Sequence, residues 1–235
     1  MELPPAELKE AILKILELTV ELPELTSERL AAASTLTRRE ADFLLKQLSL
    51  EGLSIEANGR FLFHFEQRLK LALQAVRLGA SPERASRNLS WREFEDFVRQ
   101  VFESNGYKVS LHVRIKVEET FSEIDLLSLK GETLILADCK RWRRPLHLSG
   151  AKQAVQRQLL RLKALGNLEN LEVLRKKMGE LLPRKIYATP VVITLFEFPQ
   201  KFVEKVPIVP IFKLSNFLYE LPSHLHMLPI KEINI

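Results

Sequence analysis

Four residues in three short segments could do chemistry together: Glu95 in WREFEDFV, Asp125 in SEIDLLSL, and Asp138 with Lys140 in LILADCKRW. Side chains alternate along a strand, so Asp138 and Lys140 share one face while Cys139 turns the other way, into the core. The strand bearing Asp125 joins the strand bearing Asp138 through Lys130-Gly131-Glu132, a tight turn that makes the two antiparallel neighbours. Asp125 can then approach Asp138 if the register permits. Two carboxylates with a carbonyl and waters form a hard-oxygen set suited to Mg²⁺, or to Mn²⁺ in its place. A lysine beside such a cluster offsets the repulsion between the carboxylates. In phosphodiester hydrolysis it can orient or deprotonate the attacking water, or neutralise charge at phosphorus. Glu95 lies at the edge of its helix's apolar stripe and can lean toward the sheet, whereas Asp96 faces nearly opposite and is expected in solvent. Glu93 reads as the far half of a capping box begun by Ser90.

Basic residues follow the proposed strand directly. From Asp138 to Lys163 there are eight basic residues against one acid. Arg141, Arg143 and Arg144 flank Trp142, a composition suited to clamping a phosphate backbone with a ring for stacking. Lys152, Gln153, Gln156 and Arg157 open the next helix and extend the DNA-binding expectation. Arg161 and Lys163 read equally well as a solvated helix face, and so does Arg175-Lys176-Lys177. His112, set among apolar neighbours in a strand, reads as structural. His224 and His226 could share one face of a strand, but no third metal ligand accompanies them.

The elements that must hold these groups divide into two stretches. Residues 89–235 are expected as one α/β domain: a helix opened by Ser90, strands at 107–117, 123–129 and 133–140, helices at 149–165 and 168–181, strands at 186–195 and 206–212, and a helix at 214–221. The polar residues Glu118, Glu119 and Thr120 are expected as a loop. That order implies a mixed sheet sandwiched by helices. Residues 1–66 read as three helices and a hairpin: an amphipathic helix with Leu8, Ile12, Ile15 and Leu16 on one face, a short second helix, a third opened by the capping box Thr37…Glu40, then Asn58-Gly59 between two alternating runs. This order resembles a small winged helix-turn-helix domain. Arg38 and Arg39 stand at the start of its third helix, where such domains contact DNA. Residues 67–88 read as a helical connector.

Charge separates the two stretches. Residues 1–66 hold 7 Lys/Arg against 12 Asp/Glu, a net of −5, and the remainder holds 28 against 18, a net of +10. A basic body suits a polyanion such as DNA. The acidic stretch meets phosphate repulsion, which leaves protein docking as an alternative use of the winged helix. One cysteine excludes an internal disulfide and fits a reducing cytoplasm. The N-terminus (Met1-Glu2-Leu3-Pro4-Pro5) has no secretory-signal pattern, and no apolar run approaches the length of a membrane span.

Residues 91–140 resemble the PD-(D/E)xK, restriction endonuclease-like nuclease superfamily, in particular its Mrr-like branch. FEDFVRQVFESNGYKV is similar to the first helix and strand of that branch, EIDLL to its second motif, and DCKRW stands where the family has ExK or QxK. VVITL and VPIVPIFKLSNFLYEL are similar to its closing strands and helix. The resemblance implies Mg²⁺-dependent DNA cleavage leaving 5′-phosphate and 3′-hydroxyl ends, with Glu95, Asp125, Asp138 and Lys140 in the active-site positions and Glu95, Asp125 and Asp138 toward the metal. It also implies a homodimer, since such domains often act in pairs. Two departures stand out: Asp138 replaces the commoner Glu, and Ser122-Glu123-Ile124 precedes Asp125 where many Mrr-like chains have Gly-Gly. The alternative from another class is a DNA-binding regulator or scaffold on an inert nuclease fold.

Overall fold

The computed structural model describes residues 3–140, 148–195 and 197–235. The chain divides into two compact units, Met1–Phe94 and Glu95–Ile235.

The N-terminal unit contains α1 (Pro5–Leu18), β1 (Glu24–Leu25), α2 (Ser27–Ala33), α3 (Arg38–Leu50), β2 (Ile55–Ala57), β3 (Arg60–Leu62), α4 (Phe65–Arg77) and α5 (Pro82–Ser86). Proline at the first position of α1 removes a backbone donor that the helix could not have satisfied. Ala11, Ile12, Leu13, Ile15 and Leu16 form its buried stripe. The α3 capping box is present as expected: Thr37 Oγ1 accepts from Glu40 N at 3.3 Å, and Glu40 Oε2 accepts from Thr37 N at 2.8 Å. Asn58 and Gly59 both have positive φ, 51° and 73°, the geometry a two-residue hairpin turn demands. β3 pairs with β2 on one side and β1 on the other, giving a three-stranded sheet. Residues 67–88 fall inside this compact unit, with Leu69, Leu71, Ala72 and Ala75 of α4 buried.

α6 (Trp91–Ser104) runs across the division between the units. Its start is capped: Ser90 N donates to Glu93 Oε2 at 2.5 Å, and Glu93 N to Ser90 Oγ at 3.3 Å. There follow β4 (Lys108–Val117), β5 (Thr120–Lys130), β6 (Thr133–Lys140), α7 (Leu148–Ala164), α8 (Leu168–Met178), β7 (Lys185–Thr194), β8 (Phe202–Val203), β9 (Val206–Pro210), α9 (Leu214–His224) and β10 (Lys231–Asn234). They build a seven-stranded mixed sheet in the order β4-β5-β6-β7-β9-β8, with β10 pairing β7. β4, β5 and β6 form an antiparallel meander, while β6–β7 and β7–β9 are parallel. A parallel neighbour requires a crossover, which α7 and α8 provide between β6 and β7. Leu134 and Leu136 of β6 and Ile186 and Ala188 of β7 pack in one cluster with Leu162, Leu171 and Leu174 from those helices. The expected loop is shorter than read: Glu118 and Glu119 form a two-residue turn with Glu118 at φ 54°, and Thr120 already pairs with Val117 as the first residue of β5.

β4 is an edge strand, and α8 covers part of that edge. Asn170, buried, accepts from Lys116 N and donates to Lys116 O, both at 2.8 Å. Its amide supplies the two bonds that a further strand would have made at that residue, which protects the edge from unwanted pairing. Among the described residues no helix is long and apolar enough to cross a membrane.

Candidate functional site

The β5–β6 ladder closes with Leu126 opposite Ala137, and one more step in that register brings Asp125 opposite Asp138. Asp125 Oδ2 accepts from Cys139 N at 2.7 Å. Asp138 is only 2% exposed and meets a different cation at each oxygen. Lys140 Nζ lies 2.6 Å from Oδ2, and Arg161 Nη1 lies 2.9 Å from Oδ1. A carboxylate this deep remains charged only when paired and hydrogen-bonded.

Arg161 comes from α7 and is held on several sides. Its Nε donates to Ser122 Oγ at 2.8 Å and its Nη1 to Gln158 Oε1 at 3.1 Å. Gln158 in turn donates to the carbonyls of Leu136 at 2.6 Å and Val191 at 3.0 Å. The side chains of α7 thereby reach β5, β6 and β7 together. Of the two readings open for Arg161, the solvated helix face does not hold: it is buried, because it sits on the same stripe as Ala154, Val155, Gln158 and Leu162. Polar residues interrupting an apolar stripe were the available sequence signal for both Gln158 and Arg161.

Electrostatics distinguish the two aspartates. Burial raises the Asp125 carboxyl above its ordinary value of 3.8, and the charge of Asp138 adds to that. The Cys139 N–H, Lys140 and Arg161 act in the opposite direction without cancelling the rise. Burial also pushes the Cys139 thiol well up, and the charges of Asp125, Glu95 and Asp138 push it further. The thiol therefore stays protonated and serves as packing.

The donor set fits a hard divalent cation of the Mg²⁺ type, which commonly takes one or two carboxylates and completes its shell with water and phosphate. Asp125 and Asp138 supply the two carboxylates. Among the described residues no group of three or more His, Cys, Asp or Glu side chains is arranged to hold an ion. The expected set of three metal-side carboxylates is thus not assembled, and the pair is what the strands bring together. Glu95 is 2% exposed, with its Oε2 3.6 Å from His112 Nε2. Asp96, expected free in solvent, pairs with Arg99 at 2.6 Å.

His112 differs from its expected structural role. It has φ 50°, and the β4–β5 ladder omits it while pairing Leu111 with Leu126 and Val113 with Ile124. Its half-exposed ring stands between two glutamates, with Nδ1 3.2 Å from Glu123 Oε1. The strand alternation slips at this point: Ile124 before it and Leu127 and Leu129 after it join one core cluster. The register is the same on both sides, so His112 and Asp125 are left unpaired opposite each other, a local distortion that simple alternation in a sequence conceals.

The remaining expected contacts are dispersed. Lys152, Gln153, Gln156 and Arg157 are exposed on α7, with Gln156 Nε2 2.7 Å from both oxygens of Glu204. Arg141, Trp142, Arg143 and Arg144 lie outside the described residues. Arg38 and Arg39 are exposed at the start of α3 in the N-terminal unit, and Arg38 pairs with Glu28 at 2.7 Å. His224 ends α9 and His226 lies in the short helical turn after it, so the strand that would align them is absent there.

A family model described as restriction endonuclease (Mrr_cat) matches residues 86–164, a span that takes in Glu95, Asp125, Asp138, Lys140 and Arg161. No curated protein sequence matches the chain. Among solved structures, protein VC1899 from Vibrio cholerae is similar at 13% identity and a TM-score of 0.40, over 95% of this chain and 53% of that one. Can2 from Sulfobacillus thermosulfidooxidans, in complex with cyclic tetra-adenylate, shares 14% identity at a TM-score of 0.33, over 93% and 51%. Restriction endonuclease PspGI, in complex with substrate DNA, shares 12% at a TM-score of 0.32, over 94% and 93%. The chain spans about half the length of the first two. The C-terminal unit is a mixed α/β fold with a large mixed sheet flanked by helices, and its match to the restriction endonuclease family model suggests a nuclease.

Proposed function

We propose that the chain is a divalent-metal-dependent DNA endonuclease of the PD-(D/E)xK type, acting in DNA repair, recombination or restriction. The supporting observation is the meeting of Asp125, from the middle of β5, with Asp138 and Lys140 at the end of β6, with Asp125 held above its ordinary carboxylate value. Asp125 and Asp138 would hold Mg²⁺ or Mn²⁺. When bound, the ion would polarise the scissile phosphate and lower the pKa of a water molecule. Lys140 orients that water and offsets charge at phosphorus, while Glu95 supports the cluster from α6. Lys152, Gln153, Gln156, Arg157 and the Arg141–Arg144 segment would follow the DNA backbone. In this reading the N-terminal residues form a winged helix that contacts DNA through Arg38 and Arg39 or docks a protein partner. A cytoplasmic homodimer would allow both strands of a duplex to be cut.

A second reading, an inert nuclease fold that binds DNA, draws support from one observation: both oxygens of Asp138 already meet cations. A cleavage assay separates the two. Plasmid, single-stranded, flap and four-way-junction DNA would be incubated with Mg²⁺ or Mn²⁺ and wild type, Asp138→Ala or Lys140→Ala. Metal-dependent cutting lost in both variants is the expected result. DNA bound but uncut by wild type on every substrate would leave the inert platform.

A further inference from the structure

We propose that Arg161 is a positioning residue: as the resident counter-cation of Asp138, it makes divalent-ion binding and phosphodiester binding depend on each other. This rests on the nuclease reading above and concerns the same site.

Where the middle of β5 meets the end of β6, two carboxylates face two cations. Asp125 and Asp138 contribute two negative charges, and Lys140 and Arg161 contribute two positive ones. The cations are not equivalent. Lys140 ends β6, and its ammonium is a compact charge on a four-carbon stem with its side chain 19% exposed. Arg161 is buried, its guanidinium cannot lose its proton, and Ser122, Gln158 and Asp138 hold it in place. Its charge is therefore the permanent one.

A divalent ion entering alone would leave two positive charges in excess and compete with Arg161 for Asp138. A phosphodiester entering alone would meet the Asp125–Asp138 pair. Entering together, the ion and the phosphodiesters offset each other, and Arg161 can keep its bond to Oδ1. The family match covers Arg161 but assigns it no part, and among the described residues it is the cation on Asp138 that cannot swing away.

The test measures ion binding, not cleavage. Mn²⁺ would be titrated by electron paramagnetic resonance into the full chain as wild type, Arg161→Gln and Arg161→Lys. Each would be measured alone, with a short phosphodiester oligonucleotide, and with the uncharged methylphosphonate of the same sequence. For wild type the phosphodiester should tighten Mn²⁺ binding about tenfold, and the methylphosphonate should not. Arg161→Gln should bind Mn²⁺ about tenfold more tightly without DNA and gain little from the oligonucleotide. Arg161→Lys should resemble wild type. Unchanged or weaker Mn²⁺ binding by folded Arg161→Gln would overturn the inference. If that variant does not fold, Ser122→Ala loosens the guanidinium while leaving its charge in place. It should shift Mn²⁺ affinity in the same direction by a smaller factor, and no shift would overturn the inference equally. Asp125→Asn separates the two readings. If it removes Mn²⁺ binding while Arg161→Gln changes nothing, the role of Arg161 fails alone. If wild-type Mn²⁺ binding survives Asp125→Asn, the underlying metal site fails as well.

Discussion

Each unit of the chain buries an arginine against a carboxylate, and the two pairs have different consequences. In the N-terminal unit Arg68 Nε donates to Glu93 Oε1 at 2.7 Å, and both side chains are nearly inaccessible. Its other nitrogens reach the carbonyls of Leu16 at 3.0 Å and Asn88 at 2.5 Å, and the Thr19 hydroxyl. Glu93 spends its second oxygen on the cap of α6. One positive charge meets one negative charge, and the surrounding polar groups complete the shell. In the C-terminal unit Arg161 meets Asp138, but Lys140 shares the carboxylate and Asp125 stands beside it above its ordinary range. A buried ion pair by itself is therefore a weak sign of function. A half-buried carboxylate that its neighbours fail to stabilise, as at Asp125, is a stronger one.

The largest expected effect tests the scaffold side of this comparison. Arg68→Met leaves Glu93 buried without its cation and should cost about 3–5 kcal/mol in urea unfolding. Should Arg161→Met, measured in chelator, cost as much, the two pairs would be equivalent scaffolds and the contrast would fail. Next comes Lys140→Ala, which should lower the cleavage rate about 10²–10³-fold while the urea midpoint stays close to wild type. A loss of stability in proportion to activity would mean that Lys140 is structural.

Asp125→Asn should stabilise the metal-free protein, because the folded state disfavours the charge that the substitution removes. Each kcal/mol relieved should raise Tm by about 2–4 °C. The pH dependence has a definite sign. A folded-state pKa above the ordinary 3.8 means that the native state binds more protons in that window, so this group's contribution to stability falls as pH rises through it. Asp125→Asn should lack that component, and a variant with lower Tm in chelator would contradict the cost of keeping Asp125 charged in the fold. The smallest effect belongs to an exposed pair. Arg84→Ala removes the surface contact with Glu10 at 2.8 Å and should cost less than about 1 kcal/mol, reduced further by salt.

Much of the fold was legible because it depends on local rules. The Thr37 and Ser90 capping boxes, the Asn58-Gly59 turn and the strand 133–140 follow from chemistry within a few residues, and the structure places each where it was expected. β10 escaped because its four residues bury only Ile233 and carry no turn signal of their own. At the site, the alternation of β6 was enough to put Asp138 and Lys140 on one face, and the tight turn was enough to make β5 its neighbour.

The sequence by itself determined the local elements, the order of the acidic groups along them, and the charge difference between the two stretches. Tertiary structure alone decided that Asp125 takes the Cys139 N–H next to Asp138, that Arg161 turns inward from α7 to reach Asp138, and that His112 leaves its ladder to stand between Glu95 and Glu123. The physical reason is range. Caps, turns and alternation act over a few residues, whereas the ionisation of a buried carboxylate depends on charges that folding brings from 13 and 36 positions away in the chain, here Asp138 and Arg161 acting on Asp125.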